Sequence, residues 1–546
     1  MPPMPSPADR ADLQDRVVRL LQSGDTAAAA SLARDALAAG IETALFLNLR
    51  AHLNEQEGRV SEALADLERA HELEPGDVHV LNALALALAR SGRFPEAASA
   101  LDDAIAREPG FGPFHFNRGW VAEELGELDS ARESYARAAG LSPGDPNPPA
   151  RLAAAAIRLG EADAARQWAE RALAIDPHHP GGCLALAGAD FRQGQVASAR
   201  ERLDALLRDP RLPPFERALA LTLSGDISDS LGMTPDAFAD YSAANETVRA
   251  MHASRFAHPV GHTLPQYLRR LHDHFAHAPA WSEPPAPARR SNGARGHVFL
   301  IGFPRSGTTL LEEALARHPL VVTTQERDGL ADGVRDLMSV PGGLQRLVVL
   351  SEDDAEAYRA RYWQRLGAHG IVPEGRIVVD KQPYNTVNLP LIARLFPEAR
   401  IVFSLRDPRD VVLSCFRRQF RMNPANWELL TLKGAAGLYN DVMRLAELYR
   451  MWLPLVLREQ RFEELVRDFR GGLETLCRFL DLPFDQSLLE FAGRAGRRAI
   501  VTPSAGQIAS GLNRDGIGVW RRYAAQMAPV LPMLEFWVKR FGYKDN

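Results

Sequence analysis

Lysine is nearly missing from this chain. Of 64 basic residues only four are lysine, Lys381, Lys433, Lys539 and Lys544, so arginine is used almost wherever a cation is needed. Cysteine is scarce as well. Cys183, Cys415 and Cys477 stand far apart with no CxxC pair, which excludes a disulfide framework. That usage suits a reducing compartment, and a cytoplasmic location is the expectation. No run of about 18 uncharged apolar residues occurs, so no membrane span is expected. The start of the chain, Met1 to Leu20, is charged and lacks the apolar centre of a secretion signal. An excess of positive charge is also missing. The formal net charge is −5, which argues against a nucleic-acid binder. No His/Cys cluster has ligand spacing, so no metal is expected.

What is present is 546 residues, 46% hydrophobic and 24% charged, the mix of an ordinary globular protein. At about 150 residues per domain, core size is not limiting. Glycines stand at Gly24, Gly58, Gly92, Gly126, Gly160 and Gly194, each 34 residues from the last. Alanines follow five residues later each time, from Ala29 to Ala199, and a second series runs Ala36, Ala70, Ala104, Ala138 and Ala172. Prolines at Pro75, Pro109, Pro143 and Pro177 close four units. This is the tetratricopeptide period and pattern. Each unit is two antiparallel helices: glycine permits the turn, alanines let helices approach, and proline ends the second helix. One pair cannot bury its apolar stripe alone, so the units stack into an α-solenoid with a concave face. The face suits a scaffold or a groove for a peptide, protein acceptor or partner. The period slips after Gly194, and 211–251 reads as a degenerate cap. The predicted layout is repeats over 1–255 (six clear units plus the cap), a transition segment and Pro-rich linker over 256–296, and a second domain over 297–546.

In the second domain the periodicity changes. Short apolar runs at His297–Ile301, Leu320–Val322, Arg376–Val379 and Arg400–Ser404 alternate with helical segments at Thr309–Arg317, Leu389–Phe396 and Arg409–Phe420. That alternation predicts a parallel sheet covered on both faces. Roughly the last 120 residues read as mainly helical.

The segment HVFLIGFPRSGTTLLEEAL runs from a strand through Gly302, Arg305, Ser306 and Gly307 into a helix. The spacing is that of a Walker loop, but Thr308 stands where a nucleotide triphosphatase needs lysine. Backbone amides at a helix N-terminus still cradle an anion. The loop therefore suits an anionic nucleotide whose terminal group is not a γ-phosphate. Glu326, Lys381 and Arg406 each follow a predicted strand, at the sheet edge where α/β proteins bind ligands.

These residues resemble a known family. GFPRSGTTLLEEALARHP is similar to the 5′-phosphosulfate loop of sulfotransferases that use 3′-phosphoadenosine 5′-phosphosulfate (PAPS), and FSLRDPRDVVLSCF is similar to their 3′-phosphate motif. The chain resembles most the tyrosylprotein sulfotransferase branch and its bacterial relatives fused to tetratricopeptide repeats. The resemblance covers about 296–540 and implies an α/β, P-loop-like sulfotransferase domain with PAPS as cosubstrate. It implies that Arg305 contacts the sulfuryl and 5′-phosphate end, that Ser306, Gly307, Thr308 and Thr309 cradle the 5′-phosphate, and that Arg406 and Ser414 bind the 3′-phosphate. It makes Glu326 the general base, Lys381 the catalytic lysine and Ser504 an active-site serine. In RFEELV, Phe462 stands where the family often has tyrosine, so no hydroxyl is offered there. Peptide tyrosine, a small phenol, a lipid head group and a glycan hydroxyl all stay open as acceptors, and a homodimer is an open assembly. Two other readings stay open: a nucleotide-triphosphate-dependent kinase on the same sheet, and an inactive nucleotide-binding scaffold whose repeats bind protein.

Overall fold

The computed structural model describes residues 7–257, 263–277, 281, 293–490 and 514–544. Fourteen helices lie between Pro7 and Phe256 among the described residues, and they form the tetratricopeptide solenoid. The six periodic glycines all adopt left-handed backbone, with φ from 75° to 82°. A Cβ placed on Gly24, Gly58, Gly92 or Gly194 would meet nothing within 4 Å. Glycine is therefore there for its φ and not for space. The alanine series is there for space: Ala29, Ala97, Ala104, Ala131, Ala138, Ala165, Ala172 and Ala199 are fully buried. Each of the four prolines stands two residues past a helix end, as Pro75 does after Val60–Leu73 and Pro109 after Phe94–Arg107.

The chain divides into two compact units, Met1–Ile157 with Glu161–Leu186, and Arg158–Gly160 with Ala187–Asn546. The second unit holds the last helix pair, Pro214–Ser230 and Thr234–Phe256, together with the sheet domain. These helices have 17 and 23 residues, against 13 or 14 in most earlier ones. The pair packs on the sheet domain. Phe256 stacks on Trp427 with ring centroids 5.7 Å apart, Phe238 stacks on Phe416 at 5.2 Å, and Asn245 Nδ2 donates to the Phe416 carbonyl at 2.9 Å.

The sheet has five strands: β1 Gly296–Ile301, β2 Val321–Thr323, β3 Ile377–Lys381, β4 Arg400–Leu405 and β5 Val456–Arg461. All neighbouring pairs are parallel, in the order β2-β3-β1-β4-β5. In β1, Phe299 and Ile301 join one core, and Val298 and Leu300 join the other. Both faces are buried, which is why these runs are continuously apolar. Chain order reverses around β1, so a crevice opens at its C-terminal end. β5 departs from the helical reading of the last third. Its sequence VLREQR is polar because it is an edge strand, mostly part-exposed, where charge discourages further pairing. The transition segment holds a helix at Leu264–His277 that buries Leu268, Leu271 and Phe275. Most of the expected linker lies outside the described residues.

Candidate active site

β1 delivers the chain to Gly302, whose N–H donates to Thr386 Oγ1 at 3.1 Å. A Cβ there would stand 2.6 Å from the Ser404 carbonyl oxygen, and one on Gly307 would stand 2.7 Å from the Phe462 ring. Both glycines are thus required by close approach. Arg305 (φ 69°) and Gly307 (φ 100°) make the left-handed turn that starts helix Thr308–Leu315. The phosphate loop is thereby wrapped on the sheet edge, with its helix N-terminus at the crevice. Ser306 Oγ is buried and has no hydrogen-bond partner among the described residues.

Beside the loop lies a cavity of about 500 Å³ lined by Arg305, Arg406, Ser414, Arg417 and Arg418 from the sheet domain and by Asp226 and Asp229 from the last repeat pair. Its size falls in the usual range for small-molecule sites. Arg305 Nε donates to Ser414 Oγ at 2.9 Å. Arg406 donates through Nη1 to the Arg305 carbonyl at 3.0 Å and through Nη2 to the Gly516 carbonyl. Its guanidinium lies 4.9 Å over the Phe462 ring, and its Nε is buried without a partner among the described residues. Burial, and then repulsion from Arg418 and Arg406, pull the Arg305 pKa down to about 9. Cations held close enough to weaken one another form a site for a multiply charged anion. Two of the arginines are balanced: Arg417 pairs with Asp229 at 2.6 Å and Arg418 with Asp226 at 2.7 Å. Asp407 caps helix Pro408–Phe416 by accepting from the Arg409 N–H, with Pro408 in the first turn. That helix sets Ser414 against Arg305.

A second cluster is built on the same loop helix and lies outside the cavity lining. Lys381, at the end of β3, is fully buried. Its ammonium pairs with Glu326 Oε1 and lies 3.1 Å from Glu312 Oε2. Burial alone would lower the Lys381 pKa, but Glu312 and Glu326 outweigh it and the net direction is up. Glu326 follows β2 in a turn where Gln325 (φ 51°) and Glu326 (φ 64°) are both left-handed. Its side chain is 36% exposed, so it reaches solvent while Lys381 does not. Burial first, opposed by Lys381, pushes the Glu312 pKa up to about 7.

The structure thus brings Arg305, Arg406 and Ser414 together in one group and Glu326 with Lys381 in another. Thr309 and Gly307 line the cavity; Thr308 is buried in the first turn of the helix. Ser504 lies outside the described residues. Sequence reading missed Glu312, Arg417, Arg418 and the packing role of Phe462. Arg418 had a signal, since it follows Ser414 by four residues at the end of a helix. Glu312 had none. Among the described residues no group of three or more His, Cys, Asp or Glu is placed to hold a metal ion, and no helix is long and apolar enough to cross a membrane.

Residues 297–486 match the Sulfotransferase family. Residues 15–78, 82–146, 150–179 and 169–221 match tetratricopeptide repeats. An uncharacterized protein of Aquifex aeolicus is 26% identical over 256 residues, which cover 44% of this chain and 33% of that protein. The chain therefore spans about a third of that relative's length. Protein-tyrosine sulfotransferase 1 of Danio rerio is 26% identical over 267 residues, 46% of this chain and 72% of that enzyme. A solved tetratricopeptide repeat protein from Parabacteroides merdae is 15% identical, with a TM-score of 0.36, covering 44% of this chain and 93% of its own. The chain couples tetratricopeptide repeats to a domain that matches the Sulfotransferase family and resembles the protein-tyrosine sulfotransferases.

Proposed function

We propose that the sheet domain transfers a sulfuryl group from PAPS to an acceptor hydroxyl, with tyrosine of a peptide or protein as the preferred acceptor. The observation that carries this reading is the arrangement around one loop helix. An arginine-lined cavity lies on one side, and a lysine–carboxylate pair is anchored to the same helix. Ser306 Oγ and Arg406 Nε, buried and unpartnered, fit phosphate oxygens. Thr308 in place of the Walker lysine fits a donor without a β/γ-phosphate. Bound there, PAPS would supply the sulfuryl group. Ser306 to Thr309 would hold its 5′-phosphate, and Arg406 and Ser414 its 3′-phosphate. Glu326, part-exposed, would take the acceptor proton. Lys381 and Arg305 would stabilise negative charge that grows as the sulfuryl bond breaks. A phenol suits this base because its proton leaves at pKa about 10, far below an aliphatic alcohol. The repeats would engage the acceptor or a partner, which raises its effective concentration at the site. The cysteines are few and stand far apart with no CxxC pair, which supports a cytoplasmic setting.

The test separates chemistry from binding. Glu326→Gln and Lys381→Ala should lower the transfer of labelled sulfate from PAPS to a tyrosine peptide by about 10²–10⁴-fold. Calorimetry should show their affinity for 3′,5′-ADP unchanged. Turnover at the wild-type rate would remove the proposed base, and tighter binding of ATP than of 3′,5′-ADP would favour a kinase.

A further inference from the structure

We propose that Glu312 is the positioning residue of the acceptor site, its carboxylate clamping Lys381 with one oxygen and the turn that carries Glu326 with the other. The proposal rests on the reading of Glu326 and Lys381 given above. Glu312 Oε2 lies 3.1 Å from Lys381 Nζ. Its Oε1 accepts the Gln325 N–H at 3.0 Å. One buried side chain therefore joins the phosphate-loop helix, the end of β3 and the loop after β2.

Three features show that this is more than an ion pair. First, Glu326 alone neutralises Lys381, so a second carboxylate, only 3% exposed, is not needed for charge balance. A buried carboxylate is unfavourable unless its partners hold it. Second, Gln325 and Glu326 are consecutive non-glycine residues in the left-handed region, a conformation that persists only where surroundings fix it. The Gln325 N–H bond to Glu312 fixes it at the residue before the base. Third, Thr324 ties the start of the same turn to β3: its Oγ1 accepts the Lys381 N–H at 3.2 Å, and its N–H donates to the Val379 carbonyl at 3.0 Å. With both ties made, Glu326 is directed at Lys381.

The charged and titratable groups around Glu312 are Lys381 and Asp380 on β3, Glu326 on the loop after β2, and Glu313 on its own helix. Removing the Glu312 charge has a definite sign. Lys381 loses one anion, so its titration midpoint falls. The turn that carries Glu326 loses its tie at the Gln325 N–H, so the base is less well placed and proton removal slows. The arginine cavity is untouched, so donor binding stays.

The scarcity of lysine makes the first effect directly visible. Full-length protein labelled at lysine Cε and Nζ gives NMR signals from only four side chains, and Lys433, Lys539 and Lys544 serve as internal references. Glu312→Gln should move the Lys381 midpoint down and leave the other three in place. Glu312→Asp keeps the charge and should leave Lys381 nearer to wild type. In transfer from labelled PAPS to a tyrosine peptide, Glu312→Gln should lower kcat by about 10–100-fold, as misplaced catalytic groups do. The donor KM should stay unchanged. An unmoved Lys381 midpoint in Glu312→Gln, or a midpoint in Glu312→Asp displaced as far as in Glu312→Gln, overturns the clamp. An unchanged kcat, or a loss of kcat with a matching rise in donor KM, overturns the positioning role. If the wild-type protein transfers no sulfate, the sulfotransferase reading fails for that acceptor, and the lysine titration still decides whether Glu312 clamps Lys381.

Discussion

Arg406 gives the sharpest test of the nucleotide site. Two of its N–H groups are occupied by the Arg305 and Gly516 carbonyls, and the guanidinium lies over Phe462. Its Nε has no partner among the described residues. The side chain is therefore fixed by the protein with at least one donor left for a ligand. A charge-assisted hydrogen bond contributes about 1.5–3 kcal/mol, and each 1.4 kcal/mol or so is tenfold in affinity. Arg406→Ala should therefore weaken 3′,5′-ADP by about 10–150-fold. The same substitution strands two carbonyls and an aromatic face, so it also disturbs the loop. That disturbance acts equally on any ligand of the 5′-phosphate cradle. The decisive quantity is thus a ratio: calorimetry with 3′,5′-ADP and with 5′-AMP, each for wild type and variant. Wild type should prefer 3′,5′-ADP, and the variant should lose most of that preference. Arg406→Lys should lose it as well, because an ammonium cannot span two carbonyls while lying flat on a ring. Equal losses for both nucleotides would refute the assignment of Arg406 to a 3′-phosphate.

Further outcomes follow from other parts of the molecule. Removing residues 1–186 should leave 3′,5′-ADP binding intact, whereas removing 1–255 takes away Asp226, Asp229 and Asn245 and should abolish it; calorimetry on the two truncations checks this, and intact binding in the shorter one would show that the last pair is dispensable. His297 is half-buried against Phe299, Trp363 and Phe396 and bonds to Tyr362 Oη at 2.8 Å, and desolvation pulls its pKa from 6.5 down to about 3. Its folded pKa is depressed, so stability is full above the unfolded pKa and is lost as pH falls towards 3. His297→Phe should shrink the drop in Tm between about pH 7.5 and about pH 4.5, and an undiminished drop would contradict the argument. Gly92→Ala forces a Cβ into left-handed backbone and should cost about 1–2 kcal/mol in denaturant melts, while Gly140→Ala, inside helix Leu128–Leu141 with open space around it, should stabilise by about 0.5–1 kcal/mol.

Local rules made the repeats legible. A glycine that must turn left-handed and an alanine that must vanish into a helix contact are set by their own position in the unit, and both recur in register. Strands β1, β3 and β4 were legible because burial on two faces forces apolar runs. β5 was not, because an edge strand pairs on one side only and its charges read as a helix surface. The last repeat pair was legible as helices and as a slip in period. Its partner was not. Asp226 and Asp229 look like ordinary surface acids in the sequence, and only the fold sets them against Arg418 and Arg417.

The same division runs through the site. Glycine spacing revealed the loop because close approach to Ser404 and Phe462 leaves no room for a Cβ. Glu326, Lys381 and Arg406 were visible as polar residues at the ends of apolar strands. Glu312 was invisible. It sits in the first turns of a helix beside Glu313, and acids there are common wherever a helix starts. Its meaning depends on Lys381, 69 residues later. The one hint was indirect. In a chain that uses arginine for almost every cation, position 381 is lysine. A guanidinium is a broad plane that suits flat carboxylates, carbonyls and rings, as Arg406 shows. Between Glu312 and Glu326 the space is fully buried, and the charge must face two carboxylates from two elements at once. A compact ammonium with three rotatable donors meets that demand, and a rigid fork does not. The residue type at 381 is thus explained by the pair of acids around it, only one of which the sequence could point to.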